Sequence, residues 1–138
     1  MVILTLILVT IFHGRFQVFP GNGRPQIRGR DLANLYSTVK VLVGDSCWAG
    51  NPERYWSDRV PETLGRGGFL IHPHNDTLAQ HYPHLVTYPL GDFERLGALI
   101  DQWLGDSTAR QVNAEMNREH VLKNHTYERR MQTLLTLI

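Results

Sequence analysis

The chain has 138 residues, of which 42% are hydrophobic and 20% charged, a balance typical of one compact globular domain. This composition excludes a largely disordered chain and a protein with several membrane spans. The formal net charge of +1 gives no electrostatic reason to expect nucleic-acid binding. The single cysteine, Cys47, cannot form an internal disulfide, which predicts a reducing, cytoplasmic compartment.

Residues 1–15 form an apolar amino-terminal segment, in which the stretch from Met1 to Phe12 is almost uniformly hydrophobic. A run of this length falls short of the roughly 20 residues that cross a bilayer. No basic residue precedes it and no small-residue cleavage site follows it, which disfavours a signal peptide. We expect the first strand or helix of the domain. The alternatives are a signal or anchor, and a shortened reading frame that lacks upstream sequence.

The remainder of the chain alternates short apolar runs with helical patterns. Residues 16–19 form a strand candidate that ends in the turn-rich segment 20–25. A helix is predicted from Asp31 to Val39, because apolar side chains recur there on one face. Residues 41–43 form an all-apolar strand typical of a parallel sheet, and a loop, 45–55, follows.

The second predicted helix runs from Asp58 to Arg66 and tolerates Pro61 because a proline in the first turn loses no helical hydrogen bond. Glycines end this helix and lead into a buried strand, 69–71, that His72 and Pro73 close. The remaining predicted elements are a short helix from Asn75 or Asp76 to His81, a strand over 85–88, a helix capped by Asp92, a helix from Asp106 or Ser107 to Asn124, and a last helix from Thr126 to Ile138.

The alternation of strands and helices predicts an α/β fold, a Rossmann-like parallel sheet with helices on both faces, followed by a carboxyl-terminal helical segment. Ligands of such sheets bind beyond the carboxyl ends of the strands. Segments 20–30, 45–55 and 72–76 emerge at that edge. The start of the helix at Asp58 is expected near the same edge, where backbone N–H groups and the helix dipole favour a phosphate.

One stretch, YWSDRVPETLGRGGFLIHP from Tyr55 to Pro73, contains the pattern Arg-x-x-Glu-x-x-Gly-x-Gly-Gly. It resembles the donor-side domain of glycosyltransferases with the two-domain GT-B fold, most closely the CgeB-like group, also labelled glycosyl transferases group 1. The stretches DLANLYSTVKVLVGDS and NHTYERRMQTLL resemble flanking parts of the same domain. The resemblance covers residues 16–138 and implies a nucleotide-sugar-binding Rossmann-like domain, one half of a GT-B fold.

The resemblance implies roles for the residues that match the pattern. Glu62 matches the glutamate that binds the ribose hydroxyls, since a carboxylate can accept two hydrogen bonds. Arg59 would face the diphosphate, for which a fork of donors is suited. Gly67 and Gly68 would permit close backbone approach, although the turn after Gly65 needs such residues as well. Without the resemblance, Arg59 and Glu62 would be an ordinary surface ion pair worth about 0.2–0.5 kcal/mol.

Further positions complete the predicted donor pocket. Asp45 and Ser46 follow a strand and would line the same cleft, and His72 at a strand end would touch the sugar or phosphate. The segment Ile27, Arg28 and Gly29 would clasp the base.

Two departures limit what the resemblance implies. Relatives carry a second glutamate eight positions before the ribose-binding one, where this chain has Arg54, so no catalytic residue is assigned. GT-B enzymes also hold the acceptor on an amino-terminal domain of similar size, which this sequence does not include. Turnover would then require a partner chain or a missing natural extension.

No metal or other cofactor is predicted. The pattern His72-x-His74, with His81, His84 and Asp76 nearby in sequence, could chelate zinc, but spacing fixes no third ligand.

Three hypotheses about function follow. The first is a glycosyltransferase, or its donor-binding half, that uses a nucleotide-diphosphate sugar and an unknown acceptor. The second is a noncatalytic nucleotide-binding or partner subunit of a glycosyltransferase complex. The third is an unrelated doubly wound binding module, which the specific Arg59 to Gly68 block disfavours.

Overall fold

The computed structural model describes residues 26–44 and 56–138. Within these residues it contains six helices and three strands. In chain order they are α1 (Gly29–Thr38), β1 (Leu42–Val43), α2 (Arg59–Gly65), β2 (Leu70–Pro73), α3 (Asp76–His81), β3 (Val86–Tyr88), α4 (Phe93–Gly105), α5 (Ser107–Asn124) and α6 (Tyr127–Leu135).

The three strands form a parallel sheet in the order β1-β2-β3. Leu42 pairs with Leu70, and Ile71 pairs with Val86. Each parallel pair is joined by a helical crossover, as parallel neighbours require. The predicted parallel sheet is therefore confirmed.

Helices cover both faces of this sheet. On β2, Leu70 packs in a cluster with residues of α2, α3 and α5, whereas Ile71 packs with residues of α4. Adjacent strand residues point to opposite faces, so this apolar strand needs cover on both sides. The Rossmann-like α/β architecture, with a carboxyl-terminal helical segment, is thus the observed fold.

The strand boundaries differ from the prediction at β2. The strand continues through His72 and Pro73, which pair with Thr87 and Tyr88 of β3. The sequence suggested that these two residues end the strand, because proline cannot donate to a ladder. In the structure the N–H of His74 donates instead to the Tyr88 carbonyl over 2.7 Å, so pairing extends past the proline.

The helix starts follow the predicted caps. Asn75 accepts from the N–H groups of Thr77 and Leu78, and Asp92 accepts from that of Arg95. Asp106 and Thr126 cap α5 and α6 in the same way. These side chains satisfy N–H groups that have no partner within the helix, which explains why each helix begins where it does.

The last helix, α6, has no buried residue, so its apolar stripe is not part of this chain's core. It also ends at Leu135, three residues before the predicted end. No helix within residues 26–44 and 56–138 is long and apolar enough to cross a membrane. The apolar segment 1–15, the strand candidate 16–19 and the loop 45–55 lie outside the described residues.

Candidate functional site

The three strands end at one edge of the sheet, the edge at which parallel α/β folds bind ligands. β1 leads into Gly44, β2 ends at Pro73 and β3 ends at Tyr88. Because α2 must return to the amino end of β2, its first turn lies on the carboxyl side of the sheet. The predicted donor residues Arg59 and Glu62 belong to this first part of α2.

Arg59 is the first residue of α2, and its side chain is exposed. Its backbone N–H donates to the Ser57 hydroxyl oxygen over 3.3 Å. Asp58 precedes it at the N-cap position without a capping hydrogen bond from its carboxylate. Pro61 lies in the first turn, as predicted. The Arg59 guanidinium is therefore accessible to an anionic ligand.

Glu62 forms an ion pair with Arg66, one turn later, and not with Arg59. The Glu62 Oε2 to Arg66 Nη1 distance is 3.8 Å, with side chains 49% and 36% exposed respectively. A pair this exposed contributes about 0–1 kcal/mol to stability. Arg66 also lies over the ring of Tyr36, 5.7 Å from its centroid, which restricts the guanidinium further. The Glu62 carboxylate is thus half-exposed, and its oxygens can accept hydrogen bonds from hydroxyl groups.

Gly67 and Gly68 follow the last residue of α2, whereas Arg59 is its first residue. Because a helix of seven residues spans about 10 Å, the two glycines lie about that far from the start of α2. Gly67 has φ +78°, a conformation that favours glycine. A Cβ at Gly68 would lie 2.8 Å from the Thr63 side chain and 3.0 Å from the Tyr36 carbonyl oxygen. Gly67 thus has a conformational role and Gly68 a packing role at the turn into β2. Their approach to a donor stays a prediction.

His72 lies at the carboxyl edge, on the face of β2 that it shares with Leu70. Its side chain is 2% exposed, and its Nδ1–H donates to the Pro73 carbonyl over 2.8 Å. A Cβ at Gly44 would lie only 2.6 Å from His72 Cδ2, so the imidazole occupies space that glycine leaves open. His72 therefore packs where β1 ends, and its contact with sugar or phosphate stays a prediction.

The histidines near the edge of the sheet do not converge on one point. His74 is exposed and contacts Asp76 Oδ1 at 3.0 Å and Thr87 Oγ1 at 3.3 Å. His81 belongs instead to a group of rings beside α5. Across residues 26–44 and 56–138, no three acidic, histidine or cysteine side chains are arranged to hold a metal ion.

The residues predicted to clasp the base precede or begin α1. Arg28 is exposed and donates through Nη2 to Gln26 Oε1 over 2.7 Å. Gly29 has φ +59°, and Ile27 is half-buried. α1, like α2, runs back toward the amino edge of the sheet, so Arg28 and Arg59 begin their helices on the same side. Contact with a base stays a prediction.

Several predicted or discussed positions lie outside the described residues. They are Asp45 and Ser46 of the predicted cleft, Arg54, and the loop residues Cys47 and Tyr55.

Sequence reasoning missed a cluster of rings around Tyr82, which is 1% exposed. The Trp56 ring meets Tyr82 edge-on at 5.4 Å, and the His125 ring lies 4.6 Å from it. The Nε2–H groups of His120 and His125 both donate to the His81 carbonyl, over 2.8 and 2.9 Å. The available signal is the motif Asn-His-Thr-Tyr, from Asn124 to Tyr127, but spacing alone does not reveal the partners of His125.

This cluster predicts that mild acid destabilises the protein. Burial lowers the pKa of His125 below its ordinary 6.5, and the charges of His120, His81 and Arg130 lower it further, while the hydrogen bond to the His81 carbonyl opposes them. Well above pH 6.5 His125 is neutral in both the folded and the unfolded chain. Below it the unfolded chain binds the proton more readily, so the free energy of unfolding falls as the pH drops through 6.5.

Urea unfolding at about pH 7.5 and about pH 5.5 measures this loss, in an interval above the ordinary carboxylate pKa values. The His125→Phe variant keeps an aromatic ring but cannot titrate, so it is expected to lose less stability over the interval than the wild type. An equal loss in both proteins would contradict the assignment.

The comparisons with known proteins give one match. A family model described as glycosyl transferase-like matches residues 8–136. No curated protein and no solved structure matches the chain. Because the family model covers nearly the whole sequence, the chain belongs to the glycosyl transferase-like family.

Proposed function

We propose that this chain is the nucleotide-sugar-binding half of a two-domain, GT-B-type glycosyltransferase of the CgeB-like group. Membership of the glycosyl transferase-like family supports a role in glycosyl transfer. The proposal assigns donor binding to residues 16–138 and makes segment 1–15 the first element of that domain. The observation that carries it is the exposed pair of groups on α2, the Arg59 guanidinium and the Glu62 carboxylate.

The proposed donor is a nucleotide-diphosphate sugar. Its ribose hydroxyls donate to the Glu62 carboxylate, whose Oε2 lies 3.8 Å from Arg66 Nη1. Its diphosphate lies against Arg59, whose fixed fork of N–H groups suits phosphate oxygens. When the sugar is transferred, negative charge develops on the departing diphosphate, and Arg59 stabilises that charge electrostatically.

The other predicted donor residues belong to the same proposal. Arg28 begins its helix on the side of the sheet where Arg59 begins α2, and it contributes to the base subsite. His72, which packs against Gly44 at the end of β1, is assigned a contact with the sugar or phosphate, and Asp45 and Ser46 are assigned to the same cleft. The acceptor enters from a second domain or a partner chain.

A thermal-shift and calorimetric panel of UDP, GDP, dTDP and their sugars tests this function. At least one nucleotide is expected to stabilise the wild type, and Glu62→Ala is expected to remove that stabilisation. Glu94→Ala is the matched control, because Glu94 is also an exposed glutamate in the first turn of a helix. A folded wild type that binds none of these nucleotides would refute the proposal.

A second candidate is a noncatalytic partner subunit. The exposed apolar side chains of α6, such as Met131 and Leu135, at 54% and 65% exposure, favour it. Such a subunit binds either nucleotide or only another protein. Sugar transfer or donor hydrolysis by the isolated chain would support the enzyme, whereas nucleotide binding without either reaction would support the partner subunit.

A further inference from the structure

Four of the chain's seven histidines lie together where the end of α5 meets the end of α3. Their rings follow one another in the order His84, His120, His125 and His81, with centroids 6.0, 5.3 and 5.8 Å apart. Imidazoles are the side chains that ordinarily change charge between about pH 5 and 8. Mild acid therefore brings several like charges into this histidine group at short range.

The contacts of His120 are compatible only with an uncharged ring. Its Nε2 lies 2.8 Å from the His81 carbonyl oxygen, which can only accept, so Nε2 carries a hydrogen. Its Nδ1 lies 3.3 Å from Nδ2 of Asn124, an amide nitrogen that can only donate. The same Nδ2 donates to the His120 carbonyl over 3.1 Å, which fixes the orientation of the amide. A second proton, on Nδ1, would therefore replace a hydrogen bond with a contact between two donors.

His125 shares the acceptor of His120. Its Nε2–H donates to the His81 carbonyl over 2.9 Å, so one carbonyl group holds both rings side by side. Burial lowers the pKa of His125, which shows that its folded surroundings favour the neutral ring. If both rings carry a proton, two positive charges lie about 5.3 Å apart and repel each other. Proton uptake thus favours an arrangement in which the two rings separate and reach water.

The surroundings of the two rings do not compensate for this repulsion. Across residues 26–44 and 56–138, no carboxylate forms an ion pair with any member of the histidine group. The other ionisable groups around the two rings are His81, Tyr82, His84, Arg130 of α6 and, beside Tyr82, Asp58. Of these, Arg130 adds a further positive charge that disfavours protonation of His125.

His125 is also the residue at which the chain turns from α5 into α6. It follows the last residue of α5, and the next residue, Thr126, caps α6. No residue of α6 is buried, so the core does not hold this helix in place. The direction of α6 therefore depends on the turn at His125, which the hydrogen bond to the His81 carbonyl fixes.

We propose that His120 and His125 form an acid-sensitive latch. When both rings are neutral, the latch holds the end of α5 on the end of α3 and sets the direction of α6. When the rings take up protons, the hydrogen bond from Asn124 is lost, the two charged rings leave the His81 carbonyl, and α6 is released while the sheet stays folded. This inference goes beyond donor binding and does not depend on it.

Amide hydrogen exchange of the whole chain, without nucleotide, tests the latch. The reporter is the His125 N–H, which donates to the Val121 carbonyl over 2.8 Å. A ring that titrates near pH 6.5 in the open form only weakens protection about tenfold between about pH 7.5 and 5.5. With two such rings, protection at His125, corrected for the intrinsic pH dependence of exchange, is expected to fall about tenfold to a hundredfold. A wild type without this fall would overturn the proposal.

Urea distinguishes opening of the latch from unfolding of the whole domain. The reference amide is the Gly44 N–H, which donates to the Ile71 carbonyl over 2.9 Å at the end of β1. Opening the latch exposes little surface, so low urea is expected to leave protection at His125 unchanged and to reduce it at Gly44. Equal urea dependence at both amides would show that the latch does not open locally.

His120→Gln removes one titrating ring and keeps a side-chain N–H for the His81 carbonyl. It is expected to reduce the pH response at His125 to about tenfold or less. His74→Gln is the matched control, because His74 is an exposed histidine outside the group, and it is expected to keep the wild-type response. A wild-type response in His120→Gln would contradict the latch. So would nitrogen NMR of the wild type at about pH 7.5 that shows a hydrogen on His120 Nδ1, a result that depends on no variant.

Discussion

Replacing Gly68 with alanine is expected to lower the free energy of unfolding by about 1–3 kcal/mol, the usual cost of forcing an extra carbon into a packed interior. The new Cβ would lie 2.8 Å from Thr63 Cγ2, 2.9 Å from Leu42 Cδ1 and 3.0 Å from the Tyr36 carbonyl oxygen. The side chains can shift, but the carbonyl oxygen belongs to the backbone of α1. Relief therefore requires the turn at Gly68 and the backbone of α1 to move apart.

Urea unfolding of Gly68→Ala beside Gly97→Ala measures this cost against a matched substitution. Gly97 lies within α4, and a Cβ there meets no atom within 4 Å. Alanine in a helix interior is favoured over glycine by roughly 0.5–1 kcal/mol, so Gly97→Ala is expected to stabilise the protein. A Gly68→Ala protein as stable as the wild type would show that the turn into β2 is not tightly packed.

Replacing Glu62 with glutamine is expected to weaken ribonucleoside diphosphate binding by about tenfold to a hundredfold. Hydrogen bonds to a charged group contribute roughly 1.5–3 kcal/mol, and 1.4 kcal/mol corresponds to a tenfold change in affinity. Glutamine keeps the shape of the side chain but replaces one acceptor oxygen with a donor, which does not match a diol. The ion pair with Arg66 is lost as well.

A 2′,3′-dideoxy nucleotide, which lacks both ribose hydroxyls, distinguishes the loss of the contact between Glu62 and ribose from a general loss of nucleotide binding. The wild type is expected to bind the dideoxy compound weakly, and Glu62→Gln is expected to bind it about as well as the wild type does. Isothermal titration of the four combinations gives the coupling between side chain and diol. An equal loss with both nucleotides would assign Glu62 to a role other than binding ribose.

Much of the fold could be predicted from local sequence patterns, because apolar runs and helix caps themselves determine where strands are covered and where helices begin. The apolar residues Leu70 and Ile71 of β2 require cover on opposite faces, and the caps at Asn75, Asp92 and Thr126 mark where helices begin. The extension of β2 through Pro73 could not be read locally, since it depends on pairing with β3, 15 residues later at Tyr88.

The candidate site was predictable only in part. The positions of Arg59 and Glu62 on α2 follow from the helix pattern, as does the accommodation of Pro61. The choice of Arg66 as the ion-pair partner depends on side-chain direction and on Tyr36, which lies in another helix. Likewise, the burial of His72 depends on the space left by Gly44, which follows the neighbouring strand β1.

The contacts of the Tyr82 cluster also could not be predicted from local sequence patterns, because they join residues that are far apart in the sequence. His125 and His81 are separated by 44 positions, and only the packing of α5 against α2 and α3 brings them together. A sequence pattern can identify the motif around His125 and the cap at Thr126. It cannot show that the imidazole binds the carbonyl at the end of α3.

Amide chemical-shift mapping of the isotopically labelled chain, titrated with the best-binding nucleotide of the panel, is the most direct test of donor binding at the carboxyl edge of the sheet. The account predicts the largest shifts at the start of α2, from Arg59 to Glu62, and at Gly44 and His74 beside the strand ends. Saturable binding that shifts only residues of α4 or α6, with the first turn of α2 unaffected, would contradict it.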